Sequence, residues 1–189
     1  MAVVIVTPAQ QQDLWQLAEG RQKGKPKRRG WGKNSPVQNH YIGLLGEYSA
    51  SRIFEGYAYD RELYGASGDG GMPDLVGPAG GINVKTRTKR GYSFALGTDS
   101  LDSFKAEAAV LCWPADQDTQ AVFLSSPAPK EDVTITLDIV GIASYATFSA
   151  KAVLQDFGYG MRLVLGPEHF TPIHRPLWPH EVAQYLTRS

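Results

Sequence analysis

The sequence predicts a single mixed α/β domain, and three observations carry that expectation. One long segment has helical spacing with clear signals at both ends. Short strand-like runs separated by glycine turns follow it, and helix and strand patterns then occur together towards the end. A chain of 189 residues suffices for one domain with a sizeable core. With 42% hydrophobic and 20% charged residues the composition is that of an ordinary globular protein. Its 20 glycines and 12 prolines favour many turns and short elements over a long-helix bundle.

Thr7-Pro8 supplies an N-cap and first-turn pair for a first helix, whose apolar face carries Leu14, Leu17 and Ala18 and whose expected stop is Gly20. Residues 21–33, RQKGKPKRRGWGK, hold seven Lys or Arg and no acid. Their glycines and proline argue against a helix, so this segment is predicted to be a mobile basic arm. Ser35-Pro36 opens the clearest helix, which should run to residue 54 or 55 and be closed by Gly56. Val37, Tyr41, Leu44, Leu45 and Tyr48 recur at helical spacing and should face the core. Glu47 shares a stripe with His40, Leu44 and Ser51, which sets its carboxylate at the edge of the buried face.

Strands are expected next. Residues 57–64 alternate, ASGDGGM makes a glycine-rich turn, and PDLV and INVKT flank a second turn, GPAGG. Residues 92–96 are expected to be a further strand or a continuation of the last. Residues 108–113 and 121–125 are short apolar runs that suit buried strands, and 133–142 suits another. Residues 144–157 fit helix or strand, with helix the better fit. A strand over 161–165 and a terminal helix over 178–187, starting at Pro179, complete the pattern.

Several function classes find no support. Cys112 lies alone in the apolar run AAVLCW, so it cannot form an intrachain disulfide and reads as a buried core thiol. Four histidines without paired cysteines argue against structural zinc, and His169, His174 and His180, scattered among prolines, read as structural. GDGG lacks the lysine and hydroxyl residue of a phosphate-binding P-loop, and no G-x-S-x-G elbow is present. No run approaches the ~20 apolar residues of a membrane span, and the opening MAVVIVTPAQ lacks the basic start of a secretory signal. A soluble protein of a reducing, cytoplasmic compartment is expected. Nineteen basic and nineteen acidic residues cancel, so only the distribution of charge bears on nucleic acid.

Residues 73–85, PDLVGPAGGINVK, can build a site for phosphodiester hydrolysis. That reaction needs charge stabilisation at phosphorus and an activated water, and hard divalent cations held by oxygen ligands supply both. In a hairpin, Asp74 on the first strand comes near residue 83 or 85 on the second. Asn83 and Lys85 leave one face of their strand, while Val84 points into the core with its carbonyl still able to reach a metal. Glu47 completes the site if its helix packs on the hairpin. A lysine beside such a cation can lower the pKa of water or steady the pentacovalent charge.

PD-x(8)-NVK after a helix carrying GEYSASRIF resembles the PD-(D/E)XK nuclease superfamily. The runs GLLGEYSASRIFEG, GDGGMPDLV and GGINVKT are similar in particular to small phage and bacterial members, over about residues 38–90. The resemblance implies a restriction-endonuclease-like α/β core with a mixed central sheet flanked by helices. It implies Mg²⁺ at the carboxylates, with Mn²⁺ able to substitute, and double-stranded DNA as the usual substrate in a bacterial or phage-infected cell. It makes Asp74 the principal metal ligand, Glu47 the helix-borne acid and Lys85 the catalytic lysine. Cutting both strands with so small a chain would call for a homodimer, for which the sequence shows no interface.

One position departs from the pattern. Asn83 stands where the superfamily has Asp or Glu; its amide oxygen can bind Mg²⁺ but without the negative charge. Asp69 is the nearest acid that could make up that charge, and His40, two turns before Glu47, is a candidate for supporting contacts. Lys23, Lys25, Lys27, Arg28, Arg29 and Lys33 of the basic arm suit phosphate contacts, Trp31 suits stacking on a base, and Arg87, Lys89 and Arg90 extend the positive surface beside Lys85. Three functions are weighed: a Mg²⁺-dependent DNA endonuclease, a nuclease fold that keeps DNA binding without catalysis, and a structural or assembly protein whose hairpin merely resembles the motif.

Overall fold

In the computed structural model, which describes residues 1–23, 34–59, 61, 72–96, 101, 104, 106–125, 127–158 and 160–187, both long helices start on their capping signals. Strand β1 (Ala2–Val6) leads into α1 (Pro8–Gln22), where Thr7 and Gln10 form a reciprocal capping box. Ser35 and Gln38 do the same for α2 (Pro36–Ile53), and Gly56, at φ 76°, turns the chain after the helix as expected. Short strands β2 (Ala58–Tyr59) and β3 (Leu75–Gly77) precede β4 (Gly80–Thr86) and β5 (Phe94–Ala95). Then come β6 (Ala108–Pro114), α3 (Gln117–Ser125), β7 (Ile135–Ser144), α4 (Tyr145–Lys151), β8 (Val153–Asp156), β9 (Met161–Leu165), β10 (Thr171–Pro172) and α5 (Pro179–Thr187).

The main sheet runs in the order β1-β7-β6-β4-β3-β2, with β10 also paired to β7. It is mixed: β4 and β6 are parallel and every other pair is antiparallel. Strand β6 is buried along its whole length and its side chains alternate between two cores. Ala108, Val110 and Cys112 face a cluster completed by Ala50 and Ile53 of α2 and Val182 of α5. Ala109, Leu111 and Trp113 face a second cluster, with Phe148 of α4 and Phe94, Leu163 and Leu165 from a separate three-stranded sheet, β5-β9-β8. A third cluster joins α1 and α2 through Leu14, Ala18, Tyr41, Leu44 and Leu45. The chain is thus an α/β sandwich with a mixed central sheet flanked by helices.

Three local expectations change, at α1, at residues 121–125 and at residues 144–157, while 92–96 and the described part of 57–64 supply short strands. Helix α1 continues through Gly20 to Gln22, because one glycine costs a helix only about 1 kcal/mol and Arg21 is buried against α2. Residues 121–125 are helical, not strand: the Asp116 carboxylate accepts from Thr119 N at 2.7 Å at the start of α3, and Thr119 and Phe123, four apart, are its buried residues. The segment 144–157 splits into α4 and β8, and 92–96 supplies β5 of the separate sheet. The expected strand over 57–64 is seen as Ala58–Tyr59; residues 60 and 62–64 lie outside the described residues. No described helix is long and apolar enough to cross a membrane.

Gly46 lets α2 settle on β4. A Cβ there would fall 1.8 Å from Thr86 Oγ1 and 3.2 Å from Thr86 Cβ. Overpacking of that kind costs about 1–3 kcal/mol, against the ~1 kcal/mol that alanine gains over glycine in a helix. Gly46→Ala is therefore expected to lower stability by about 1 kcal/mol in urea unfolding, with Thr86→Ala in the same chain recovering much of it. Unchanged stability in the single variant would mean that α2 can ride further from the strand without penalty.

Candidate active site

The hairpin turns at Pro78 and Ala79, and pairing of β3 with β4 ends at Leu75–Ile82. Beyond Ile82 the edge of β4 is met by a side chain: Asp74 Oδ2 accepts the Val84 amide at 2.7 Å. Amide and carbonyl of one strand residue leave by the same edge, so the Val84 carbonyl is directed to the Asp74 side as well. Val84 itself packs with Ile82 in the core under α2. Lys85, in register with Leu111 of β6, leaves by the opposite face, towards the side of β9.

Glu47 arrives on α2. It is buried, with a side chain 10% exposed, and its Oε2 lies 3.4 Å from Nη1 of Arg21, itself 10% exposed. Although α2 covers one face of β4 and Lys85 leaves by the other, Glu47, Asp74, Val84 and Lys85 line one cleft of about 590 Å³ at this strand edge. Thr86, Arg87 and Arg162 line it as well, the last from β9.

Enclosure in the cleft pushes the Lys85 ammonium below the ordinary lysine range. Asp74 opposes that shift, and Arg87 and Arg162 reinforce it by repulsion. Among the described residues, Arg87 and Arg162 line the cleft with Lys85, Asp74 and Glu47, and Glu47 pairs with Arg21. The cleft is therefore inviting to an anion. Asn39 and Thr86 also line the cleft, though their Nδ2 and Oγ1 atoms are shielded from water and have no hydrogen-bond partner among the described residues. Such atoms are costly unless a ligand or water meets them.

Asp74 and Glu47 line the cleft and the Val84 carbonyl leaves by the Asp74 edge; carboxylate and carbonyl oxygens are the donors Mg²⁺ takes, one or two carboxylates with several waters kept. Among the described residues no group of three His, Cys, Asp or Glu is gathered. The third acid considered from the sequence, Asp69, lies outside the described residues.

The other expected residues fall into three groups. Arg87 lines the cleft and Lys89 is exposed beside it, their cationic groups 5.6 and 5.8 Å from the centre of the Tyr92 ring. Asn83 and His40 are half-buried near the site but do not line the cleft, and Lys23 is exposed at the end of α1. Arg90 is committed elsewhere: it pairs with Asp138 at 2.6 Å and donates to the Ala115 carbonyl at 2.9 Å, tying its loop to β7. Lys25, Lys27, Arg28, Arg29, Trp31 and Lys33 lie outside the described residues.

Three residues of the site were not foreseen. By sequence Arg21 belongs to the basic arm and Tyr92 to a strand, while the signal for Arg162 is a lone charge in the apolar strand MRLVL. No family model, no curated protein and no solved structure matches the chain.

Proposed function

We propose that this protein is a Mg²⁺-dependent phosphodiester hydrolase acting on DNA, with a PD-(D/E)XK-type site. The observation that supports it most is that Asp74, Lys85 and Glu47, drawn from a hairpin and a separate helix, line one cation-rich cleft. Asp74, Glu47 and the Val84 carbonyl would hold the ion, which supplies positive charge against phosphate oxygens and makes water easier to deprotonate. Lys85, its pKa depressed by enclosure, is suited to orient the attacking water and accept its proton. Arg87 and Arg162, which line the cleft, would hold the phosphate and offset charge that grows on it.

Incubation of supercoiled plasmid, linear plasmid and a single-stranded DNA circle with Mg²⁺ or Mn²⁺ is expected to give cleavage of at least one form that EDTA abolishes. The pattern of nicked and linear products would separate nicking from double-strand cutting. A second reading, a nuclease fold that grips DNA without cutting it, is favoured by Asn83, which carries no charge and stands outside the cleft lining. Folded protein that binds DNA in a steeply salt-dependent way but cuts with neither metal would establish that alternative.

A further inference from the structure

Tyr92 lines the cleft but has no task in the hydrolytic chemistry. Of the aromatic residues in the cleft wall, Phe123 is buried and Phe157 half-buried, whereas Tyr92 is 43% exposed. Its backbone is nonetheless held: the Trp113 indole N–H donates to the Tyr92 carbonyl at 2.8 Å. The preceding loop is fastened by Arg87 N to the Cys112 carbonyl at 3.0 Å and by the Arg90–Asp138 pair. An exposed ring on a fastened loop loses little freedom when something stacks on it.

The neighbours of the ring define that something. The Arg87 guanidinium and the Lys89 ammonium lie over the ring, 5.6 and 5.8 Å from its centre, so a base stacks there by taking the place of one of these cations, which is then free to meet a phosphate. Arg162 shares the cleft. An aromatic face among cations is the chemistry of single-strand binding, where bases stack on the ring and cations follow the backbone. An intact duplex keeps its base faces stacked inside and can offer such a ring nothing. A cleft of about 590 Å³ is of a size to take a nucleotide or two. We infer that the cleft takes an unpaired DNA strand, with Tyr92 stacked on a base next to the phosphate that is cut and Arg87 and Arg162 on the backbone.

This rests on the proposed hydrolase function and narrows its substrate from duplex DNA to single strands, flaps or gaps. The test is fluorescence anisotropy in EDTA with a dye-labelled oligothymidylate and a labelled hairpin duplex, for wild type, Tyr92→Ala and Tyr92→Phe, beside metal-dependent cleavage of both substrates. Stacking is worth ~1–3 kcal/mol per base, so Tyr92→Ala is expected to weaken single-strand binding by about 10-fold or more. Tyr92→Phe should keep the affinity, duplex binding should move less than about 2-fold, and wild type should cut the single strand faster. Single-strand affinity unchanged by Tyr92→Ala, or equal losses on both substrates, with cleavage intact, would overturn the stacking site and leave the hydrolase standing. Neither binding nor cleavage of either substrate by wild type would remove the hydrolase itself, and this inference with it.

Discussion

Under the proposed hydrolase function, Lys85→Met is expected to cut DNA about 10²–10⁴-fold more slowly than wild type, the usual range for loss of a positioned acid–base group, with DNA affinity changed only a few-fold. The same variant is expected to be more stable. Methionine fills a similar volume without an ammonium, and a depressed amine pKa means that the fold disfavours that charge. Asp74 offsets part of the penalty in the native protein, while Arg87 and Arg162 add to it. Gain of stability with loss of rate is the mark of a strained functional group, not of a structural one.

The pH dependence carries a definite sign. The folded-state pKa of Lys85 is depressed below its ordinary value of 10.5. Between the folded value and 10.5 the unfolded chain holds more protons than the native one, so native stability rises with pH across that window. Below it both states are protonated and the penalty is present in full. Lys85→Met should lack that rise in urea denaturation. The cleavage rate of wild type should rise with pH through the folded pKa of Lys85, as the amine able to accept a proton becomes populated. A Lys85→Met protein that cuts normally would remove Lys85 from the chemistry whatever its stability.

Arg21→Met is expected to destabilise the fold more than any other single change discussed. Glu47 and Arg21 are both withdrawn from water, and removing one partner of a buried pair costs about 3–5 kcal/mol because the other charge stays behind. The 3.4 Å separation points to the lower end of that range. At about 2–4 °C per kcal/mol for a chain of this size, the melting temperature should fall by roughly 6–12 °C. Glu47→Leu placed on top of Arg21→Met should recover much of the loss, since no charge is then stranded. Equal melting of Arg21→Met and wild type would show that the pair contributes nothing and that Glu47 is held by its other contacts.

The limits of α2, the turn within GPAGG and the inward side of β4 were legible in the sequence. Each rests on interactions between residues a few positions apart: capping side chains, turn geometry and the two-residue repeat of a strand. The nearness of Asp74 and Lys85 was legible for the same reason, because a tight hairpin makes their contact local. Short apolar runs carry no such signal, so α3 could be told from a strand only by what packed on Phe123. The second sheet was likewise hidden, since β5 and β9 are far apart in sequence and pair by docking on the Phe148 core. The Arg21–Glu47 pair, 26 residues apart, and the meeting of Arg162 with Lys85 depend on which face each element buries. The sequence by itself determined the helices with caps and the hairpin that carries Asp74 and Lys85. Tertiary packing alone decided which cations share the cleft with them, because charges brought together across the chain leave no periodic trace along it.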